Sequence, residues 1–288
     1  VSATGVIMDP NTGEVLALAN IDDFNPNEYW KYNDFQRRNR AITDTYEPGS
    51  TFKSFTIASL LDQNLCRLNE KLNLENGKYK YRNVNIRDTH PFKSLNVTEI
   101  LEQSSNIGVA KLVQRIDDEK YFKYLRGFGF GNSTSLTLPG ETAGKLRKPN
   151  EWSKVSKTYL SFGYEISVTP VQIAAGYCAL VNGGVLYEPQ LVQRQINQND
   201  ELIHEFSPKE IRRVISSETS DVMRELLGGV VKNGTGKNAF SEIISIGGKT
   251  GTSQKLVDGK YSKQDYNSSF IGFFPVENPQ VVCLILLN

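Results

Sequence analysis

Strand-like apolar runs lie at the two ends of this 288-residue chain, and that placement constrains the fold more than any other feature. Residues 4–8 and 14–19 are apolar and are joined by Asp9-Pro10-Asn11-Thr12-Gly13, a turn-rich loop that makes them a hairpin. At the other end, residues 243–252, 268–274 and 281–287 follow one another and pair most simply as antiparallel neighbours. The last run is apolar on both faces, the pattern of a central strand covered by helices. Five strands drawn from both ends, with a mostly helical middle inserted, make an α+β architecture with a five-stranded antiparallel sheet. The length admits one large domain or two small ones, and residues 1–288 are read as one.

The middle of the chain is punctuated by capping signals. Residues 21–49 read as a long polar and aromatic loop, a length that in a compact domain usually serves function. An apolar run over 52–61 is long enough for a buried helix reaching about Asn64. A second, smaller hairpin is expected over 72–84, turning at Glu75-Asn76-Gly77. Asn96 caps a helix over 97–103, with Glu99 completing a capping box; Ser104-Ser105-Asn106 interrupts it, and helical spacing resumes over 107–116. Asp117 or Asp118 caps a further helix to about Gly127, and 127–144 reads as loop. Thr169-Pro170 starts a helix over 171–180 that ends at Asn182-Gly183-Gly184. Residues 185–206 look like strands around a polar turn, and 217–231 like a helix ended by Asn233-Gly234-Thr235-Gly236.

Charge excludes several functions. Lys and Arg number 33 against 32 Asp and Glu, so no bulk field favours nucleic acid. Arg37-Arg38-Asn39-Arg40 is a short basic run in a polar segment and reads as a solvated or substrate-facing loop. The cysteines, Cys66, Cys178 and Cys283, are far apart and fit no metal spacing; Cys178 and Cys283 lie in apolar runs, as buried free thiols do. With only His90 and His204, neither a His-centred triad nor a His-rich metal site is expected, and no metal or cofactor is assigned. Signal-peptide and membrane-spanning patterns are missing, and the abrupt start and finish inside strand-like runs read as those of a fragment.

Three short stretches carry chemistry. In Tyr46-Glu47-Pro48-Gly49-Ser50-Thr51-Phe52-Lys53 a tight turn delivers Ser50 to the first turn of a helix, where its N–H is an unpaired donor at the positive end of the dipole. Lys53 lies three residues on and shares a face with Ser50, so a neutral amine there can take the serine proton. Alone, the same pattern is also a serine cap followed by an ordinary lysine. In Ser104-Ser105-Asn106 the bend points residues two apart into one cavity: Ser104 can relay a proton, and the Asn106 amide can hold a substrate peptide bond and orient Lys53. In Gly247-Gly248-Lys249-Thr250-Gly251-Thr252-Ser253, Lys249 and Thr250 suit a carboxylate. Gly251 would let a ligand backbone approach the strand edge, and the N–H of Thr252 would join that of Ser50 in an oxyanion hole. A Gly-rich phosphate loop or a plain strand end is the competing reading of this last stretch, although the P-loop spacing is not met.

Ser50-x-x-Lys53, Ser104-x-Asn106 and Lys249-Thr250-Gly251, in this order, resemble the signature of penicillin-recognising serine acyl-transferases. The likeness extends across nearly the whole chain. Residues 46–53 and Gln103-Ser104-Ser105-Asn106 resemble class B penicillin-binding proteins. Phe162-Gly163-Tyr164, Val168-Thr169-Pro170-Val171-Gln172, Asn182-Gly183-Gly184, residues 228–236 and Ser268-Ser269-Phe270-Ile271-Gly272-Phe273-Phe274-Pro275 look most like the division-specific, FtsI-type branch.

The resemblance implies a peptidoglycan D,D-transpeptidase that is acylated by β-lactam antibiotics. Ser50 would attack the carbonyl between the terminal D-alanines of a stem peptide, Lys53 would take its proton, and Lys249 as a like charge would keep Lys53 neutral. Ser104 would pass the proton to the departing D-alanine, with the oxyanion on the N–H groups of Ser50 and Thr252. Asn106 would position the stem peptide, and Lys249, Thr250, Gly251 and Thr252 would bind it. Cell-division membrane proteins are the expected partners, and the extracytoplasmic face of the bacterial cytoplasmic membrane the expected location. Relatives carry an amino-terminal pedestal and anchor, and a carboxy-terminal helix packed on the sheet, that this sequence lacks. A D,D-carboxypeptidase, a serine β-lactamase and a non-enzymatic β-lactam sensor remain as alternatives. No E-x-x-L-N follows Asn106, which separates the chain from the class A lactamase pattern.

Overall fold

The computed structural model describes residues 2–257 and 259–288. Its central sheet contains β1 (Ala3–Met8), β2 (Val15–Ile21), β3 (Gly247–Val257), β4 (Lys260–Phe274) and β5 (Val281–Leu287). The order is β3-β4-β5-β1-β2, every pair antiparallel, so the two ends of the chain meet where β5 pairs with β1. The expected five strands are all present, with β3 starting at Gly247 rather than at residue 243. Residues before it lie outside the sheet, and Ile243 is 93% exposed.

Strand alternation decides which side chains meet the core. Lys249, Ile271, Leu284 and Val6 are register partners across four strands and all are buried. Thr250 and Thr252 have the opposite parity on the edge strand β3. The last strand departs from expectation: β5 buries Val282, Leu284 and Leu286 but leaves Ile285 and Leu287 about half exposed. Its apolar residues serve one covered face, not two.

Helices α1 (Lys53–Asp62), α2 (Val97–Glu102), α3 (Asn106–Leu112), α4 (Asp118–Gly127), α5 (Pro170–Val181) and α6 (Ser217–Asn233) supply the other layers. The capping signals operate as read: Asn96 with Glu99, Asp117, and Thr169 with Gln172 all cap the helices they precede. α5 packs on β1 and β5, and α6 on β3. α1 runs through the centre, with every residue from Lys53 to Leu60 buried. Its Phe55 ring lies 4.8 Å from Phe130, 5.0 Å from Phe128 and 5.2 Å from Tyr177, a cluster whose loss at Phe55 costs about 3–5 kcal/mol on truncation to alanine. The polar residues of α1 are satisfied internally: Ser54 meets Tyr177 OH at 2.9 Å, and Thr56 Oγ1 donates to Ser161 O at 2.9 Å.

Two pairings differ from the sequence reading. Residues 72–84 are not one hairpin: Lys71–Asn73 pairs with Ser94–Asn96, and Lys78–Tyr81 pairs with Val84–Arg87 around Arg82-Asn83. Glu75-Asn76-Gly77 forms a 3-10 turn between two different ribbons. Leu72 and its partner Leu95 are both buried, and this long-range burial outweighs the local turn preference of Asn-Gly. Within 185–206, Arg194–Ile196 pairs with Leu202–Glu205 around a polar turn, whereas Val185–Tyr187 pairs onward with Glu210–Arg213. The 21–49 connection is not bare loop either; Pro26–Lys31, Asp34–Arg37 and Arg40–Thr43 are short helical turns.

Candidate active site

The three chemical stretches converge. Gly49–Phe52 forms a 3-10 turn that runs directly into α1, so Ser50 sits one turn before Lys53 as expected. Gly49 has φ +57, and a Cβ there would lie 2.8 Å from Thr252 O, so the turn rests directly on the edge of β3. The same turn is held from behind by the Gly49 N–H, which donates to Gly163 O at 3.1 Å. Ser50 is half-buried between buried neighbours.

The contact at Gly49 also shows which way the Thr252 backbone faces. In a strand, the N–H and C=O of one residue point to the same edge. Thr252 O faces the Gly49 turn, so the Thr252 N–H lies on that free edge with the nucleophile segment. A Cβ at Gly251 would lie 2.5 Å from Ser269 Oγ and 2.8 Å from Thr51 Cγ2, so its missing side chain makes room for Ser269 of β4 and for the Gly49–Phe52 turn.

Ser104 occupies the break between α2 and α3 with φ +58, a left-handed conformation that turns its side chain and carbonyl inward. Lys53 Nζ donates to Ser104 O and lies 3.2 Å from Ser104 Oγ. Lys249 Nζ reaches the same Oγ at 3.0 Å and Thr250 O at 3.2 Å. Ser104 is therefore a bridge between two amines. Among the described residues the hydrogen bonds of Lys53 go to Ser104 and not to Ser50, so the amine is held by the second stretch rather than by its helix neighbour. Asn106 does not orient Lys53; its Nδ2 donates to Arg87 O at 2.9 Å.

Burial sets the protonation of this pair. Lys53 and Lys249 are both 0% exposed, and neither makes an ion pair among the described residues. Desolvation pushes the Lys53 amine well below the usual lysine range; the Lys249 charge lowers it further, and Asp88 opposes both. Burial brings Lys249 down to about 7. The like charge expected of Lys249 is thus real but second to burial. A neutral Lys53 keeps a lone pair for a serine proton, and Ser104 can carry protons between the amines.

Side chains that the sequence did not single out hold this arrangement. Asp88 Oδ2 accepts from Ser105 Oγ at 2.6 Å, and its Oδ1 accepts from the N–H groups of Asn106 and Ile107 at 2.6 and 3.0 Å. Thr250 Oγ1 donates to Thr235 Oγ1 at 3.0 Å; the Thr235 N–H in turn donates to Glu102 O at 3.0 Å, and Asn233 Nδ2 to Glu102 Oε1 at 3.0 Å. Only the Asn-Gly-Thr-Gly run that ends α6 offered a sequence signal, and it read as a helix stop. The histidines are both exposed, and the three cysteines are free.

Known proteins match the chain along its length. The penicillin-binding protein transpeptidase domain model matches residues 3–288. The sequence is 36% identical over 288 residues to "Probable peptidoglycan D,D-transpeptidase PenA" of Neisseria meningitidis, covering 100% of this chain and 47% of that protein. It is 37% identical over 289 residues to "Stage V sporulation protein D" of Bacillus subtilis, covering 98% of this chain and 44% of the relative. The chain thus spans about half the length of these curated relatives. The solved structure of penicillin-binding protein 3 from Mycobacterium tuberculosis complexed with ampicillin superposes with a TM-score of 0.94 at 31% identity, over 100% of this chain and 66% of that one.

Proposed function

We propose, since this chain belongs to the penicillin-binding-protein transpeptidase family, that its site crosslinks peptidoglycan stem peptides through an acyl-enzyme on Ser50. The observation that carries this is the meeting of two buried amines on one serine hydroxyl, Lys53 at 3.2 Å and Lys249 at 3.0 Å from Ser104 Oγ, one turn from an accessible Ser50.

Ser50 Oγ adds to the carbonyl carbon of the terminal D-Ala–D-Ala amide while neutral Lys53 accepts its proton. The N–H groups of Ser50 and Thr252 hold the oxyanion; each such donor is worth about 10²–10³ in rate. Ser104 hands the proton to the amide nitrogen, the C–N bond breaks, and D-alanine leaves. An amine of a second stem then attacks the ester, gives its proton back through the same relay, and Ser50 is restored. Lys249, Thr250 and Thr252 face the terminal carboxylate, with Gly251 shaping the strand beneath them, and Asn106 supports the peptide. β-Lactams enter as strained mimics of the same amide, and the similar mycobacterial structure is complexed with ampicillin. The septal role, the division-protein partners and the extracytoplasmic location follow from the branch that the second half of the chain resembles.

Intact-mass measurement with benzylpenicillin tests the nucleophile, and a D-Ala-D-Ala peptide with an amine acceptor tests the transfer. A stable adduct that disappears in Ser50→Ala, with crosslinked product from the peptide pair, is expected. Rapid clearing of the adduct would instead point to a β-lactamase, and release of D-alanine without crosslinking to a carboxypeptidase.

A further inference from the structure

Glu102 is a buried carboxylate that the proposed chemistry leaves unused. It ends α2 two residues before Ser104, is 8% exposed, and forms no ion pair among the described residues. Glutamate is seldom buried without a cation, so its surroundings have to account for it. The end of α6 is shaped around it. A Cβ at Gly229 would lie 2.6 Å from Glu102 Oε1, and one at Gly234 would collide with Glu102 O, so α2 and α6 close on each other through two glycines.

Two hydrogen bonds then fix the turn after α6: Asn233 Nδ2 donates to Glu102 Oε1 at 3.0 Å, and the Thr235 N–H donates to Glu102 O at 3.0 Å. Thr235 Oγ1 accepts from Thr250 Oγ1 at 3.0 Å. Lys249, the neighbour of Thr250, donates to Ser104 Oγ at 3.0 Å. These contacts close a ring through Ser104, Lys249, Thr250, Thr235 and Glu102, which returns to Ser104 along the chain. The ring ties the α2–α3 bend to the edge strand β3 across the site. One link in it can reverse. When a bound carboxylate takes the Thr250 hydroxyl proton, the hydroxyl of Thr235 can donate to Thr250 Oγ1 in turn, provided that Thr235 is held within reach.

We infer that Glu102 is a positioning residue for carboxylate recognition. Its carboxylate, seated against Gly229 and holding Asn233, keeps Thr235 beside Thr250 and so sets the Thr250 hydroxyl for the terminal carboxylate of the acyl donor. The inference rests on the transpeptidase reading, which puts that carboxylate at Lys249 and Thr250. It differs from a simple brace in what it acts on. A brace for Ser104 serves every acyl donor alike, whereas a residue acting through Thr250 serves only donors that carry the charge.

The test measures the second-order rate of Ser50 acylation by benzylpenicillin and by its methyl ester, which lacks the charge. Comparing the acid-to-ester ratio between variants cancels the intrinsic reactivity of each compound. The unaltered protein should favour the acid by about tenfold or more, the worth of a hydrogen bond to a charged group. In Glu102→Ala the ratio should fall about fivefold, the worth of a neutral hydrogen bond, with the ester rate little changed. Glu102→Gln keeps an acceptor for Asn233 and should keep the ratio. Gly229→Ala leaves Glu102 in place but pushes its carboxylate aside, while alanine favours the helix. It should lower the ratio as Glu102→Ala does without lowering the melting temperature, and it decides the matter if Glu102→Ala does not fold. Equal slowing of acid and ester would overturn the inference in favour of a brace and leave the transpeptidase reading intact. So would an unchanged ratio in Gly229→Ala. Failure of both compounds to acylate Ser50 in the folded protein would remove the transpeptidase reading, and the inference with it.

Discussion

Lys249 and Ser104 are joined by a 3.0 Å side-chain hydrogen bond across 145 positions of sequence, and Lys53 approaches the same hydroxyl from the other side. The first consequence is kinetic. Acylation needs Lys53 neutral, so its rate falls as pH drops through the depressed Lys53 value. Removing Lys249 removes one of the two causes of that depression, so in Lys249→Ala the acid limb of the rate of acylation moves to higher pH. Benzylpenicillin acylation followed from pH 5 to 9 checks this; an unmoved limb would show that Lys249 does not act on Lys53.

Burying Lys249 costs stability. Its folded value of about 7 lies below the ordinary lysine value near 10.4 that it regains on unfolding. Between those values the unfolded chain binds more protons, so the penalty grows as pH falls toward 7 and is complete below it. Lys249→Met should slow acylation and yet raise stability at pH 7 by about 1–4 kcal/mol, the scale of one to three pK shifts at ~1.36 kcal/mol each. The gain should vanish above pH 10.5, as urea melts of both proteins at the two pH values would reveal.

Asp88 holds the second stretch by accepting from Ser105 Oγ and from two backbone N–H groups. Asp88→Ala strands these donors and should cost about 1–3 kcal/mol, with acylation falling more than tenfold as Ser104 loses its fixed position. Asp88→Asn keeps an acceptor and should recover much of both. Equal losses in the two variants would mean that the charge, not the hydrogen bonding, matters.

Gly251→Ala would place a methyl group 2.5 Å from Ser269 Oγ on β4 and 2.8 Å from Thr51 Cγ2, on the contact between β3 and the Gly49–Phe52 turn. Overpacking of about 1–3 kcal/mol is expected, with slower acylation because the Thr252 N–H is displaced from Ser50. Thr51→Ser removes Cγ2 and keeps the hydroxyl donation to Pro48 O at 2.9 Å, so it should restore part of the rate in the double variant, the Ser269 Oγ contact remaining. Restoration is read from acylation, since stability alone could recover without the site.

Much of the local structure was legible because its causes are local. Asn96 and Glu99 cap each other three residues apart, and Thr169 and Gln172 do the same. The 72–84 hairpin failed where a distant partner intervened: the burial of Leu72 with Leu95 took the strand away from its neighbour. The packing at Gly251 was not legible for a similar reason, since nothing within the motif shows that Ser269 and Thr51 occupy the space beside it. Asp88 and Glu102 went unnoticed because a lone carboxylate has no pattern until its partners are known.

The sequence by itself determined the capped helices, the five strands, and the three stretches that the structure brings together at Ser104. These rest on hydrogen bonds and alternation within a few residues, which hold whatever the rest of the chain does. The tertiary structure decided the chemistry. The Lys53 amine is held well below the usual lysine range because residues from the whole chain exclude water from it, and Lys249 is buried because its parity on β3 puts it on the sheet face that carries Ile271, Leu284 and Val6. Desolvation depends on everything that surrounds a group, so it cannot be read from the few residues beside it.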